Sequence, residues 1–261
     1  DKDFTFTPKM YAQEKLLLLT EYRQDFKKSK LILDTGHTQG FKKDGPKKSK
    51  GSRSHFFSNF TVDLSDDQGS TSDFELQIQQ VNSESYVKTH NIQTALVDNE
   101  NNILENNLSY HFHQNDTFFD AEVSSYEDIS KVGRKKYEYV FPHLTYGKNI
   151  LTSDNLGLFD LKSQLKVMNY DVNKQTEFFV NDVEWSSNKW INKLGFDNQF
   201  KSIVKAVNYN ADNVSELKEE SSELSTAVGF LTKIALYKSN NNQGHFLTPK
   251  MLLRYAPGSM R

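Results

Sequence analysis

Two histidines with a spacing suited to a metal ion, His111 and His113, are the first candidates for chemistry in this sequence. Residues i and i+2 of a β-strand point to the same face, so the two imidazoles would lie side by side. Asp120 and Glu122 would join them if the following segment returns as the neighbouring strand. Two histidines without a placed third ligand are a weak signal for a metal site, and a hydrated polar surface explains them better, so no metal is predicted.

A single Asp-Thr-Gly tripeptide, Asp34-Thr35-Gly36, follows the apolar residues Leu31-Ile32-Leu33. The segment resembles the signature of the aspartic proteases, which need two such aspartates sharing a proton. The chain has only one copy, and His37 follows it where a small residue is usual. A strand that ends in a turn explains the same residues, so we expect no catalytic residue here and no enzyme.

Two loop-like segments carry clusters of charge. The segment DLSDDQGSTSD (residues 63–73) has oxygen ligands but lacks the ordered spacing of a calcium loop, so a solvated turn is predicted. The segment from His37 to Arg53 is predicted to be a loop rich in lysine and glycine. Its basic part, residues 42–53, either pairs with phosphate groups or is a solvated loop. Neither segment predicts a bound metal or cofactor.

The composition narrows the class of protein. The 261 residues contain 36% hydrophobic and 25% charged residues, with a formal net charge of −2. No apolar run approaches the roughly 20 residues of a membrane-spanning helix, whereas a β-barrel with a polar interior has a similarly low hydropathy. The near-neutral charge argues against nucleic acid as a partner, and the absence of cysteine excludes disulfides and thiolate sites.

Alternation of apolar and polar residues indicates about a dozen antiparallel strands. The clearest places Phe74, Leu76 and Ile78 opposite Glu75, Gln77 and Gln79. Weaker predictions are a strand over Ile92–Asp98, a helical turn over Asn188–Lys193 and a polar loop over Tyr209–Glu223. The fold class is therefore all-β and antiparallel.

Two settings fit these strands. Many of the runs reach the 9–11 residues of a tilted transmembrane strand, and tyrosine or tryptophan often lies near a strand end, which is typical of an interfacial girdle. The aromatic residues concerned are Tyr11, Tyr22, Tyr126, Tyr170, Trp185, Tyr209, Tyr237 and Tyr255. The other setting is a soluble sandwich or solenoid, whose half-buried strands also alternate.

The amino-acid sequences of several predicted strands resemble one family, the outer-membrane lipopolysaccharide-assembly proteins, also called organic solvent tolerance proteins. The carrying segments, in chain order, are FTFTPKMY, TEYRQDF, RSHFF, SSYEDI, RKKYEYVFPHLTY, SELSTAVGFLTKIALYK and LTPK followed by LRYAPGSMR. They span nearly the whole chain with variable segments between them. Lys135-Lys136 depart from the family pattern, which has an acidic residue or a single arginine before the YEY.

The resemblance implies a protein that moves lipopolysaccharide into the outer leaflet of the Gram-negative outer membrane. Residues 1–261 would be the front portion of a larger transmembrane β-barrel, without the N-terminal jelly roll and the closing strands. The implied partners are lipopolysaccharide, a plug lipoprotein inside the barrel, and the periplasmic lipopolysaccharide bridge, which the absent jelly roll contacts. Another outer-membrane barrel, such as a porin or receptor, and a soluble glycan-binding β-domain are the alternatives.

Individual residues follow from the strand pattern and the resemblance. A proline has no backbone N–H and so removes a hydrogen-bond donor from the strand ladder. Pro8 also matches a family position near the side opening of the barrel, so Pro8 is the candidate for a lateral gate. The alternative is that Pro8 simply lies close to a turn. The side chains predicted to face a hydrated lumen are Glu75, Gln77, Gln79, His111, His113, Asp120, Glu122, Lys250 and Arg254.

Overall fold

A computed structural model describes residues 1–11, 15–44, 47–67, 69–215, 217, 220–240 and 243–258. Its regular elements are almost all β-strands, apart from the one-turn helix α1 (Tyr86–Thr89) and a 3₁₀ turn at Gly133–Lys136. The strands are β1 (Lys2–Lys9), β2 (Leu17–Asp25), β3 (Ser29–Asp44), β4 (Lys47–Asp63), β5 (Ser70–Val81), β6 (Ile103–Gln114), β7 (Thr117–Asp128), β8 (Tyr137–Ser153), β9 (Gly157–Tyr170), β10 (Lys174–Ser186), β11 (Trp190–Ile191), β12 (Phe196–Asp212), β13 (Glu220–Ile234), β14 (Leu236–Asn240), β15 (Gln243–Leu247) and β16 (Lys250–Tyr255). No helix in these ranges is long and apolar enough to cross a membrane.

The strands form one antiparallel sheet of 14 strands in which sequence neighbours pair. The order runs from β1 through β10 to β12, β13 and β16, while the short β11 adds to β12. β14 and β15 form a separate two-stranded hairpin between β13 and β16. The sheet is open, with β1 at one edge and β16 at the other. The all-β antiparallel prediction is confirmed.

Four local predictions were wrong. His37 to Arg53 is not a loop, because β3 and β4 pair from Ser29↔Val62 to Asp44↔Lys47 and continue the hairpin through most of the segment. Ile92–Asp98 contains turns and no strand, and its apolar side chains pack against the sheet instead. The segment Asn188–Lys193 has no helical turn and contributes β11. The polar loop predicted at Tyr209–Glu223 is shorter, since β12 ends at Asp212 and β13 begins at Glu220.

A β-bulge interrupts the register between β7 and β8. Glu122 pairs with His143 and Ser124 pairs with Val140, so β8 has one residue more than β7 over this interval. The extra residue lies at Phe141-Pro142, which are joined by a cis peptide bond. Because successive strand residues alternate between faces, one extra residue exchanges the faces of the following residues of β8, up to a second irregularity between Asn149 and Leu151.

A glycine in β8 makes space for an aromatic ring on β7. Gly147 pairs with Phe118, and a Cβ atom on Gly147 would overlap the Phe118 ring. The ring thus lies over the neighbouring strand's backbone, which fixes the local pairing of β7 with β8.

Gly147→Ala should therefore lower the free energy of unfolding by about 1–3 kcal/mol, the usual cost of overpacking. The measurement is urea denaturation of the folded protein. The double variant Gly147→Ala/Phe118→Ala removes the overlap, so its cost should be smaller than the sum of the two single costs. Additive costs would contradict the contact.

Candidate functional site

The sheet has one apolar face, and that face is exposed. Cross-strand partners share a face, and the row Phe60, Leu76, Leu108 and Val123 shows how apolar residues follow one another from β4 to β7. The same face continues to β16 through Met251, Leu253 and Tyr255, as the alternation predicted. Large side chains on it are solvent-accessible: Phe4 is 64%, Phe6 55% and Leu253 59% exposed. We call this surface the apolar face.

The opposite surface, the polar face, carries every side chain that was predicted to face a lumen. These are Glu75, Gln77, Gln79, His111, His113, Asp120, Glu122, Lys250 and Arg254, and the registers from β5 to β16 put all of them on the same side. Whether a hydrated lumen covers this face remains a prediction. The opposition of Leu76 and Ile78 to Glu75 and Gln77 follows directly from β5 being a regular strand.

Hydrogen bonds join the polar face across neighbouring strands. His111 Nδ1 lies 2.9 Å from Asp120 Oδ1, so the predicted approach of these residues occurs. Asn107 donates to Glu122 at 3.0 Å. His113 is paired with Phe118, and among the described residues no three histidine, aspartate or glutamate side chains are grouped closely enough to hold a metal ion. The interaction of His111 is therefore a histidine–carboxylate pair.

The predicted aromatic girdle is divided between the two faces. Tyr22, Trp185 and Tyr255 lie on the apolar face, where a girdle requires them. The registers put Tyr126 and Tyr209 on the polar face, since Tyr126 is paired with Glu105 and Tyr209 with Phe178. The nearness of these aromatic residues to strand ends predicted their position along the strand, but it did not predict which face of the sheet they occupy.

The polar face is covered at one end by the connection between β5 and β6, residues 82–102, which we call the covering segment. Its side chains Tyr86 and Ile92 are fully buried, and they pack with Leu17 of β2 and Phe57 of β4 in one cluster. The sequence contains a signal for this contact that alternation alone missed. The run Leu16–Leu19 and the pair Phe56-Phe57 place apolar residues on both faces of β2 and β4, so both faces need cover.

Polar contacts hold the covering segment in place. The Gln79 side chain donates to the carbonyl oxygen of Leu96 at 2.9 Å, and the Tyr11 hydroxyl donates to the carbonyl oxygen of His90 at 3.1 Å. Gln79 is therefore an anchor for this segment and is only 7% exposed, unlike a residue lining open water. Burial raises the pKa of Tyr86, and the nearby charge of Asp34 raises it further, so this phenol stays neutral.

The Asp-Thr-Gly tripeptide has a structural explanation here. The prediction that the strand ends in a turn here was also wrong, because β3 continues through the tripeptide to Asp44. Asp34 lies within β3, and its Oδ1 is 3.0 Å from Nε2 of His55, with both side chains buried. A Cβ atom at Gly36 would lie 2.7 Å from the Tyr86 hydroxyl oxygen, so glycine leaves the space that this phenol occupies. Asp34 thus pairs with a histidine and not with a second aspartate, which is not the arrangement of an aspartic protease.

The structure describes the basic segment, residues 42–53, less fully than the acidic segment, residues 63–73. The lysines of residues 42–50 have side chains outside the described part, so the phosphate prediction for them is not addressed. Arg53 is only 6% exposed, and its guanidinium lies 3.3 Å from His90 Nε2, so it belongs to the contact with the covering segment. In residues 63–73, carboxylates bind backbone amides: Asp63 accepts from Ser65 at 2.9 Å and Asp66 from Ser70 at 3.0 Å.

Pro8 lies in the edge strand, and its missing donor points away from the sheet. Asp25 N–H donates to Asp1 at 2.8 Å and the Asp1 amino group donates to Asp25 at 3.2 Å, so these residues form a hydrogen-bonded pair. In an antiparallel ladder such pairs alternate, which leaves Pro8, opposite Leu18, at a non-hydrogen-bonded position. Pro8 therefore removes no bond to β2. It is also the last residue but one of β1, so both interpretations of this proline remain open.

Removing the Tyr86 side chain should release the covering segment. Because a buried aromatic residue is truncated, Tyr86→Ala should lower the free energy of unfolding by about 3–5 kcal/mol, and limited proteolysis should cut within residues 82–102. Gly36→Leu should have the same effect, since it fills the space of the phenol. The matched control is Lys88→Ala, an exposed residue of the same helix, which should leave cleavage unchanged. Protection of the segment in Tyr86→Ala would contradict the described packing.

The two faces of the sheet and the covered end of the polar face are thus the observations that bear on function. No protein-family model matches this chain, and the curated proteins searched contain no match.

Proposed function

We propose that this chain is part of an outer-membrane β-barrel that assembles lipopolysaccharide into the outer leaflet. The observation that carries the membrane part is the exposed apolar face opposite a polar face, over long strands. The observation that carries the cargo is the resemblance of the strand segments to the lipopolysaccharide-assembly proteins. In this proposal the protein is not an enzyme and its location is the cell outer membrane.

The apolar face supports a lipid environment on energetic grounds. Contiguous apolar patches beyond a few hundred Å² are rare on monomeric soluble proteins, because each Å² of apolar area kept in water costs about 25 cal/mol. The apolar face extends across the sheet from Phe4 in β1 to Leu253 in β16, both more than half exposed. Contact with acyl chains removes this cost, while the polar face needs water or polar groups.

Strand length and connections are also typical of such a barrel. β4, β8 and β12 each have 17 residues, more than the 9–11 that a tilted strand needs to cross the hydrocarbon. The short connections 26–28, 115–116 and 154–156 lie at one end of the sheet, together with the longer 187–195 and 235–249, whereas 82–102 lies at the other end. Bacterial barrels have short periplasmic turns and longer extracellular loops, so we assign the covering segment to the extracellular side.

The free edges of the sheet fit a barrel that has further strands or opens sideways. In hydrocarbon each unpaired backbone group costs several kcal/mol, so β1 and β16 need additional pairing in the complete barrel. Pro8 has no backbone N–H to donate at the β1 edge, which weakens the pairing of β1 with any strand that adds there. We assign Pro8 to the lateral gate through which lipopolysaccharide leaves. The plug lipoprotein and the periplasmic lipopolysaccharide bridge are the proposed partners.

A different outer-membrane barrel and a soluble glycan-binding domain are the alternatives. The polar face, with its histidine, amide and carboxylate side chains, is compatible with a porin interior as well as with bound sugar. Fractionation of cells that express the complete gene product separates the soluble alternative, which predicts recovery outside the membrane. Depletion of the protein separates the barrels, since only the proposed function predicts loss of surface lipopolysaccharide.

The first test places a charge on each face of β5. A lysine near mid-bilayer costs roughly 2–4 kcal/mol on the lipid side and much less in the lumen. Leu76→Lys in the complete gene product should therefore reduce the amount of folded, heat-modifiable barrel in the outer membrane. The matched control, Gln77→Lys on the adjacent residue, should leave that amount unchanged. Equal assembly of both variants would mean that the apolar face does not contact lipid.

The second test concerns the gate. Pro8→Ala restores an N–H that points to the open edge of β1, and one hydrogen bond of about 1.4 kcal/mol, present only in the closed state, would reduce the open population about tenfold. Surface lipopolysaccharide should fall, and sensitivity to large hydrophobic antibiotics should rise, at matched barrel abundance.

Pro249→Ala is the matched control, because Pro249 lies in a second Thr-Pro-Lys sequence, directly before β16. The Pro249 carbonyl accepts from Ile234 at 3.2 Å, so a restored N–H would face β13 and not the edge. This variant should deliver lipopolysaccharide normally. Normal delivery by Pro8→Ala as well would leave Pro8 as a proline near a turn.

A further inference from the structure

Three strands near the β16 edge bring two cations together around a glycine. Lys201 of β12 is paired with Gly229 of β13, and Gly229 is paired with Arg254 of β16. All three positions lie on the polar face. Directly paired residues in adjacent strands are about 4.5–5.5 Å apart, so the two basic side chains flank a position that has no side chain.

The space around this row is a recess in the polar face. Small residues on β13, Ala227 and Gly229, form its floor. A cavity of about 300 Å³ is lined by Lys201, Gly229 and Arg254, and Arg254 also lines an adjoining cavity of about 550 Å³. Gly229 differs from Gly147, whose space an aromatic ring fills. The nearest atoms to an added Cβ at Gly229 would be a methyl carbon of Leu252 at 3.2 Å and the backbone oxygens of Leu253 and Lys201 at 3.5 and 3.9 Å.

The two cations of this recess form no ion pair among the described residues. Two other lysines of the polar face do have carboxylate partners: Lys205 lies 3.2 Å from Asp182 and Lys233 lies 3.1 Å from Asp197. Within the described ranges, neither Lys201 nor Arg254 has a carboxylate within the 4.0 Å of an ion pair. Glu184 lines the same cavity without forming such a pair. Two like charges across a sheet are unfavourable unless an anion lies between them.

We propose that Lys201 and Arg254 bind one anionic phosphate group over Gly229. The planar guanidinium can donate two parallel hydrogen bonds to phosphate oxygens, and the lysine ammonium supplies a second positive charge from the other side. Leu252 and Ile203 line the two cavities beside Arg254, so the recess suits a phosphate that belongs to an amphiphile. Resting on the proposed function, we identify that amphiphile as the phosphorylated glucosamine part of lipopolysaccharide.

The test measures binding of a bisphosphorylated, acylated glucosamine disaccharide to the complete gene product with its plug partner in detergent. Lys201→Gln/Arg254→Gln should weaken this binding by about tenfold or more, since it removes charge-assisted hydrogen bonds. Lys162→Gln/Lys166→Gln is the matched control, because it removes two cations from the same face away from the recess, and it should change binding less than about twofold. Heat-modifiable mobility verifies that each variant is folded.

Two further arms identify what is recognised. Gly229→Leu keeps both charges but fills the recess, so it should also weaken binding. The dephosphorylated disaccharide should bind the unaltered protein no better than it binds the double variant, and inorganic phosphate should compete with the bisphosphorylated probe. Equal binding by the double variant and its control would overturn the proposal, and so would equal affinity for the two disaccharides.

The experiments distinguish failure of the anion-site proposal from failure of the proposed cargo. If the double variant loses phosphate binding but delivers normal surface lipopolysaccharide at matched abundance, the site stands and its assignment to lipopolysaccharide falls. If phosphate binding is unaffected while Leu76→Lys and Pro8→Ala behave as expected, the barrel function stands and the site falls.

Discussion

The backbone ladder between neighbouring strands is the constraint on which the rest of this structure depends. In an antiparallel sheet the register decides which face each side chain takes, and a slip of one residue exchanges the faces of a whole strand. The bulge between β7 and β8 shows this rule being used. Before it, Tyr137 and Tyr139 lie on the apolar face, and after it Leu144 and Tyr146 do. The alternation of apolar residues in the sequence shifts by one position at this point. The added residue compensates for the shift, so the apolar side chains stay on the same face.

Much of the fold could be predicted because alternation acts residue by residue. The opposition of Leu76 and Ile78 to Glu75 and Gln77 needs no knowledge of distant contacts, and the same is true of Met251 and Arg254 in β16. What could not be predicted depends on a partner strand. Residues 42–44 and 47–50 were predicted to be part of a loop because their composition is polar, but pairing between β3 and β4 supplies the hydrogen bonds that keep their backbone extended.

The site was predictable to a similar extent. Each side chain proposed for the polar face lies there, but the sequence could not indicate that Gln79 is covered or that Asp34 pairs with His55. Gln79 is covered because residues 82–102 pack onto this end of the sheet, and Asp34 contacts His55 because β3 and β4 are paired in a register that the sequence does not reveal. Likewise, the convergence of Lys201 and Arg254 arises only because β13 lies between their strands and has glycine at the shared position.

The neighbour-to-neighbour order of the strands has a kinetic consequence. From β2 to β10 each strand pairs with the one before it, and β12, β13 and β16 continue this order, so most pairings join segments that are close in sequence and the sheet can grow strand by strand. The covering segment is different, because Tyr86 packs with Leu17 and Phe57 across several intervening strands. It can dock only after β2, β3, β4 and β5 are in register. Its docking therefore requires the correct register of the first strands.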